Sequence, residues 1–173
     1  MIEYVMLTEA DMERVRRVAV ARNAAKEGWP NYRVAADKGD LGLHLDGVRA
    51  ELAVCKRFGF PLDESVSPDG DNGAPDLYVG ELRVEVKAAT HRPPIIKLNA
   101  LTDFKADAMV LCFVHPWNSR MASVVELHGV VSRQKFMRDH RLRDFGYGKR
   151  VIMEAHELSP IASLDAIAEV SDA

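Results

Sequence analysis

Residues Met109 to Val114 read Met-Val-Leu-Cys-Phe-Val, six apolar side chains in a row. Successive strand side chains point to opposite faces, so this run predicts a strand buried on both faces. Such a strand needs a covering layer on each side of its sheet, as an α/β domain provides. The longer run from Ala106 to Val114 is broken by Asp107. It falls far short of the ~20 residues of a membrane span, so no membrane partner is expected.

The elements around that strand alternate between helix and strand. Thr8 to Asp11 has capping-box spacing, with Asp in place of Glu. It opens a helix over about 9–27, with Met12, Val15, Val18, Ala19 and Arg22 at helical spacing and a stop at Gly28-Trp29-Pro30. Residues 28–46 read as a connection. A second helix is expected from Asp46, a good N-cap, to Gly59. Val48, Leu52 and Cys55 form its inner face, and Glu51 shares that side. Arg49, Lys56 and Arg57 are expected to face outward.

Residues 61–75 read as a turn-rich loop. Asp76 to Val79 and Leu82 to Ala88 then read as strands joined by Gly80-Glu81, a pair suited to a type II′ turn. Beyond Pro93-Pro94 the expectations are a short helix over 96–104, the strand at 109–114 and a strand over 124–131. A basic helix over 132–143, a short strand over 151–155 and a helix over 163–170 complete the chain. A single domain over 1–173 is expected, with a core over about 44–137 and a C-terminal extension over 138–173. A chain of 173 residues buries roughly 70% of its unfolded surface and needs no covalent staples.

The two cysteines, Cys55 and Cys112, lie in apolar runs without CxxC spacing. They read as buried thiols in a reducing compartment. The N-terminus lacks the basic start of a signal peptide, so a cytoplasmic location is expected. The six histidines show no HxxxH or HxH spacing, and no nucleophile elbow or glycine-rich phosphate loop occurs. Acyl-transfer and nucleoside-triphosphate chemistry are therefore disfavoured.

The hairpin has a chemical consequence. A two-residue turn sets Val79 opposite Leu82, Leu77 opposite Val84 and Asp76 opposite Glu85. Opposed carboxylates repel. Lys87 lies on the Glu85 face, and Glu51 arrives from the preceding helix. Three carboxylates and an ammonium make a poor core and a good site for a hard divalent cation, Mg²⁺ or Mn²⁺. Asp76 and Glu85 are the candidate ligands, with the Val86 carbonyl, and with Glu51 direct or through water. Lys87 can orient a water or stabilise charge on a phosphoryl group.

Gly47-Val-Arg-Ala-Glu51 on a helix, then Pro75-Asp76, then Glu85-Val86-Lys87, resembles the PD-(D/E)xK nuclease superfamily. The resemblance covers about residues 44–137. It implies a restriction-endonuclease-like core, a central mixed β-sheet flanked by helices in the order α-β-β-β-α-β. It also implies Mg²⁺-dependent cleavage of DNA, with Asp76 and Glu85 as metal ligands, Lys87 as the catalytic lysine and Glu51 as the helix glutamate. Many members of the superfamily act as dimers, so a homodimer is left open. An inactive module of the same fold, binding nucleic acid or a protein partner, is the alternative.

The formal net charge of −3 suggests no nucleic-acid partner until its distribution is read. Residues 133–150 carry seven cationic and two acidic residues, net +5, and residues 151–173 carry five acidic and no cationic residues, net −5. Arg92, Lys97, Arg133 and Lys135 are the candidate phosphate contacts, with Phe136, Phe145 and Tyr147 interleaved. Trp29, Tyr32 and Arg33 are a candidate lid.

Overall fold

The computed structural model describes residues 1–25, 39–66, 74–164 and 166. The candidate lid Trp29, Tyr32 and Arg33, the Gly28-Trp29-Pro30 stop, the middle of the 61–75 loop and most of the expected C-terminal helix lie outside the described residues.

The chain opens with strand β1 (Glu3–Met6), which the sequence reading missed, and helix α1 (Glu9–Ala25). At the helix start, Asp11 accepts the Thr8 backbone N–H at 2.7 Å, and the Asp11 N–H donates to the Thr8 hydroxyl at 3.2 Å. These are the two reciprocal bonds of a capping box. Val15, Val18 and Ala19 are buried, as the spacing predicts.

Helix α2 (Gly39–Phe58) begins before the expected Asp46. Gly39 and Gly42 read as breakers, but a glycine inside a helix costs only ~1 kcal/mol against alanine. Packing of Leu45 and Val48 into the core outweighs that. Asp46 is therefore inside the helix and pairs with Arg49. Arg49 faces inward, contrary to expectation, and is fully buried. The segment after Val114 covers it: Arg49 donates to the carbonyls of His115 and Ala122 at 3.0 and 2.8 Å and lies 4.9 Å from the Trp117 ring centre.

The hairpin of β2 (Leu77–Val79) and β3 (Leu82–Ala89) follows. Its register is Leu77 to Val84, Tyr78 to Arg83 and Val79 to Leu82. Gly80 has φ +61°, and no other residue type adopts positive φ among the described residues. That is the type II′ pattern.

Residues 95–98 form strand β4 (Ile95–Leu98), not the expected helix. Ile96 and Leu98 are buried and Lys97 is exposed, a period of two. A 3₁₀ turn at Leu101–Asp103 leads to β5 (Ala108–Val114) and β6 (Val124–Ser132). Helix α3 (Arg133–Asp139) is shorter than expected and gives way to β7 (Arg141–Asp144) and β8 (Lys149–Glu154).

One mixed sheet has the order β1-β6-β5-β3-β2, with β3 and β5 parallel and the other pairs antiparallel. A second, antiparallel sheet has the order β4-β8-β7. The fold is thus α/β with a mixed sheet. In the expected α-β-β-β-α-β order a helix precedes the last strand. Here β6 follows β5 through residues 115–123, and α3 comes after β6.

Every residue of β5 is buried. Ala108, Val110, Cys112 and Val114 join a core with Val15 and Val18 of α1 and Val48 and Leu52 of α2. Met109 and Leu111 join a second core with Ile96, Phe136, Val151 and Met153. The apolar run is therefore covered on both faces, by two helices on one side and the small sheet with α3 on the other. Phe104 and Phe136 meet edge-on at 5.1 Å in the second core. Among the described residues no helix is long and apolar enough to cross a membrane.

Candidate active site

The hairpin register leaves Asp76 one residue ahead of β2. Its Oδ2 accepts the backbone N–H of Val86 at 2.6 Å. The Pro75-Asp76 and Glu85-Val86-Lys87 segments are thereby held together. Alternation along β3 sends Val84 and Val86 to the helical core. Glu85 and Lys87 point to the other side, where their side chains form an ion pair.

Pro75, Asp76, Arg83, Glu85, Lys87 and Lys105 line a cleft of about 220 Å³. Asp76 is mostly withdrawn from water, and its carboxyl is pushed up to about 7. Burial is the main cause, followed by the charge of Glu51, with Glu85 adding to it. The Val86 N–H and the Lys87 charge pull the other way. Asp76 thus feels carboxylates from both sides of the hairpin. Among the described residues it has no ion-pair partner.

Glu51 is buried on α2, as its spacing predicts. It is held by Arg22 of α1, which donates to both carboxylate oxygens. The same arginine donates to the Asp63 carbonyl at 2.9 Å. Among the described residues, no group of three or more His, Cys, Asp or Glu side chains is gathered so as to hold a metal ion. Asp76 and Glu85, beside the Val86 backbone, are the pair that comes together. Mg²⁺ is commonly held by one or two carboxylates and several waters, so this donor set fits it.

The candidate phosphate contacts are dispersed. Arg92 pairs with Glu126 and lies 4.0 Å from the Phe113 ring centre. Arg133 donates to the Phe104 carbonyl at 3.0 Å, and Lys135 to the Glu157 carbonyl at 2.7 Å. Arg141 and Arg143 pair with Glu157 and Glu154. The acidic stretch thus folds back on the basic one. Lys97 is exposed, with the Tyr147 hydroxyl at 3.3 Å.

Sequence reasoning missed Lys105, an exposed cation lining the cleft. Its one signal is a place in the connection just ahead of the apolar run. A polar cluster at the far end of β5 was also missed. Glu126, buried on β6, contacts the Nε2 atoms of His115 and His128 at 3.0 and 3.1 Å as well as Arg92. Burial opposes ionisation of Glu126, but its bonds to Arg92 and His128 hold the carboxyl below its ordinary range. Histidines this far from each other in sequence give no spacing to read. Burial also raises both thiols, Cys55 to about 11 and Cys112 further.

Comparison with protein-family models, with curated proteins and with solved structures returns no match.

Proposed function

We propose that this chain is a metal-dependent nuclease of the PD-(D/E)xK type that hydrolyses DNA phosphodiester bonds. The observation that carries this reading is the 2.6 Å bond from the Val86 N–H to Asp76. It joins the two halves of the motif at one cleft. A restriction-endonuclease-like core is part of the proposal, supported by the order α2-β2-β3 and by the mixed sheet. A reducing, cytoplasmic setting suits the two buried thiols.

Asp76 and Glu85 would hold Mg²⁺ or Mn²⁺, with the Val86 carbonyl beside them. The bound cation would polarise the phosphodiester and lower the pKa of a water. Lys87 can leave Glu85 to orient a water or to stabilise charge on the phosphoryl oxygens. Lys105 offers a second cation to the phosphate. Glu51 acts from behind, through its charge on Asp76.

The alternative is an inactive module of the same type that binds nucleic acid or a protein partner. The ion pairs Arg22–Glu51 and Glu85–Lys87 favour it, because each occupies a motif residue.

The test is cleavage of linear, circular, single-stranded and branched DNA with Mg²⁺ and Mn²⁺. Wild-type protein is expected to cut at least one form. Asp76→Ala and Lys87→Ala are each expected to lose at least ~100-fold in rate while keeping their circular dichroism. Wild-type rates in either variant would overturn the mechanism. Binding of DNA without cleavage and without uptake of metal would favour the module.

A further inference from the structure

The turn between β7 and β8 carries Asp144-Phe-Gly-Tyr-Gly-Lys149. Gly146 and Gly148 adopt φ +83° and +119°, which side chains other than glycine rarely adopt. A Cβ on Gly148 would also lie 3.2 Å from the Arg150 guanidinium. This turn stacks the rings of Phe145 and Tyr147, with centroids 6.0 Å apart and planes 27° from parallel. Tyr147 is 63% exposed.

Cations surround this pair. Lys97 reaches over from β4, 5.3 Å from the Phe145 ring centre and 5.9 Å from that of Tyr147. Arg150 lies 5.3 Å from Tyr147, and Arg143 lies 6.0 Å from Phe145. Arg143 is paired with Glu154. Among the described residues, Lys97, Lys149 and Arg150 have no carboxylate partner. Elsewhere on the same hairpin the arginines are neutralised, so this positive charge is concentrated at its tip.

Tyr147 is exposed and Phe145 half-buried, and such aromatic faces gain little from an intact duplex, whose bases already stack on one another. An unpaired base has a free face, and an aromatic ring beside a cation receives it with its phosphate. We infer that the β7–β8 tip binds unpaired nucleotides, with bases stacking on Phe145 and Tyr147 and phosphates meeting Lys97, Lys149 and Arg150. The inference rests on the nuclease reading for its choice of DNA. It deepens that reading by naming the substrate class: single-stranded DNA, or DNA with unpaired segments.

The test is fluorescence anisotropy of the full chain with an oligothymidine of about 15 nucleotides and with a duplex of equal length. EDTA keeps binding apart from cleavage. Wild-type protein should bind the oligothymidine more tightly. Phe145→Ala and Tyr147→Ala should each weaken it roughly 5- to 100-fold. Tyr147→Phe should bind as wild type, because the stacking face remains while the hydroxyl contact to Lys97 is lost. Lys97→Ala should reduce the log–log salt slope by about 0.7.

Tighter binding of the duplex, no binding of oligothymidine at low salt, or wild-type affinity in both alanine variants would each overturn the inference. Aromatic-dependent binding with no cleavage of any DNA would refute the nuclease and leave the platform standing. Cleavage of single strands at unchanged rate and affinity in both alanine variants would do the reverse.

Discussion

Arg22 of α1 and Glu51 of α2 form an ion pair in which one guanidinium nitrogen bonds both carboxylate oxygens, at 3.0 and 2.8 Å. The side chains are 23% and 10% exposed. A carboxylate so withdrawn depends on its cation. Arg22→Met is therefore expected to cost about 2–3 kcal/mol, slightly under a fully buried pair. Urea denaturation measures it. Combining Arg22→Met with Glu51→Gln should recover much of that loss, as a double-mutant cycle reads it. A single-variant loss below ~0.5 kcal/mol, the range of an exposed pair, would contradict this.

The raised pKa of Asp76 has a definite sign. The unfolded carboxyl titrates at its ordinary value of 3.8, whereas the folded one holds its proton to about 7. Between those values the folded state binds more protons, so this group's contribution to stability falls as pH rises. The slope is at most about 1.4 kcal/mol per pH unit for one proton. Without metal, Asp76→Asn should be most stabilising relative to wild type above pH ~7 and least so near pH 4. Denaturation midpoints of both proteins across this range, in EDTA, give the answer. A wild-type-minus-variant difference that stays flat with pH would refute the shift.

Glu51→Gln removes the largest charge acting on Asp76. The pH-dependent step in stability should then move toward lower pH, because the Asp76 pKa falls. Carboxyl carbon NMR of Asp76 follows this directly, and an unmoved titration would show that burial alone sets the value.

Gly129 lies where β6 meets the segment 158–159. A Cβ there would stand 2.5 Å from the Ser159 carbonyl oxygen and 2.8 Å from the Leu158 Cβ. The reciprocal Val130–Ser159 backbone bonds, 2.9 Å each way, hold that segment close. Gly129→Ala should thus cost about 3 kcal/mol through overpacking against backbone. Thermal melting tests it, and a melting temperature equal to wild type would mean the segment moves aside freely.

Glu154 and Glu157 hold Arg143 and Arg141. Under the nuclease reading, replacing both acids with glutamine releases two cations toward phosphate. DNA affinity should rise at low salt, and the salt slope should steepen by up to ~0.7–0.9 for each arginine that takes up a phosphate. An unchanged slope would show that the two arginines serve only the fold.

Local patterns carried much of this molecule. The Thr8–Asp11 cap, the Gly80-Glu81 turn and the alternation of β3 depend on neighbours in sequence, and each has the expected form. The turn length predicts Asp76 opposite Glu85, and the structure adds that the Asp76 carboxylate accepts the Val86 N–H. Patterns failed where a distant segment took control. Ile95–Leu98 became a strand because β8 pairs with it. Arg49 turned inward because residues 115–122 roof it over. Arg141 and Arg143, read as part of a basic helix over 132–143, lie on a strand and are neutralised by acids further along the chain.

The sequence by itself determined that β5 is covered on both faces, since six adjacent apolar side chains admit no wet face. It also determined which chemical groups stand on the hairpin, because strand alternation and turn length are local properties. Only the tertiary structure decided what each charge meets. Ion pairing depends on separations of a few ångströms between residues remote in sequence. Glu51 lies with Arg22, Arg92 lies with Glu126, and burial with the Glu51 charge pushes the Asp76 carboxyl up to about 7. The unneutralised cations beside Phe145 and Tyr147 became visible the same way, once every other arginine of that hairpin had found its acid.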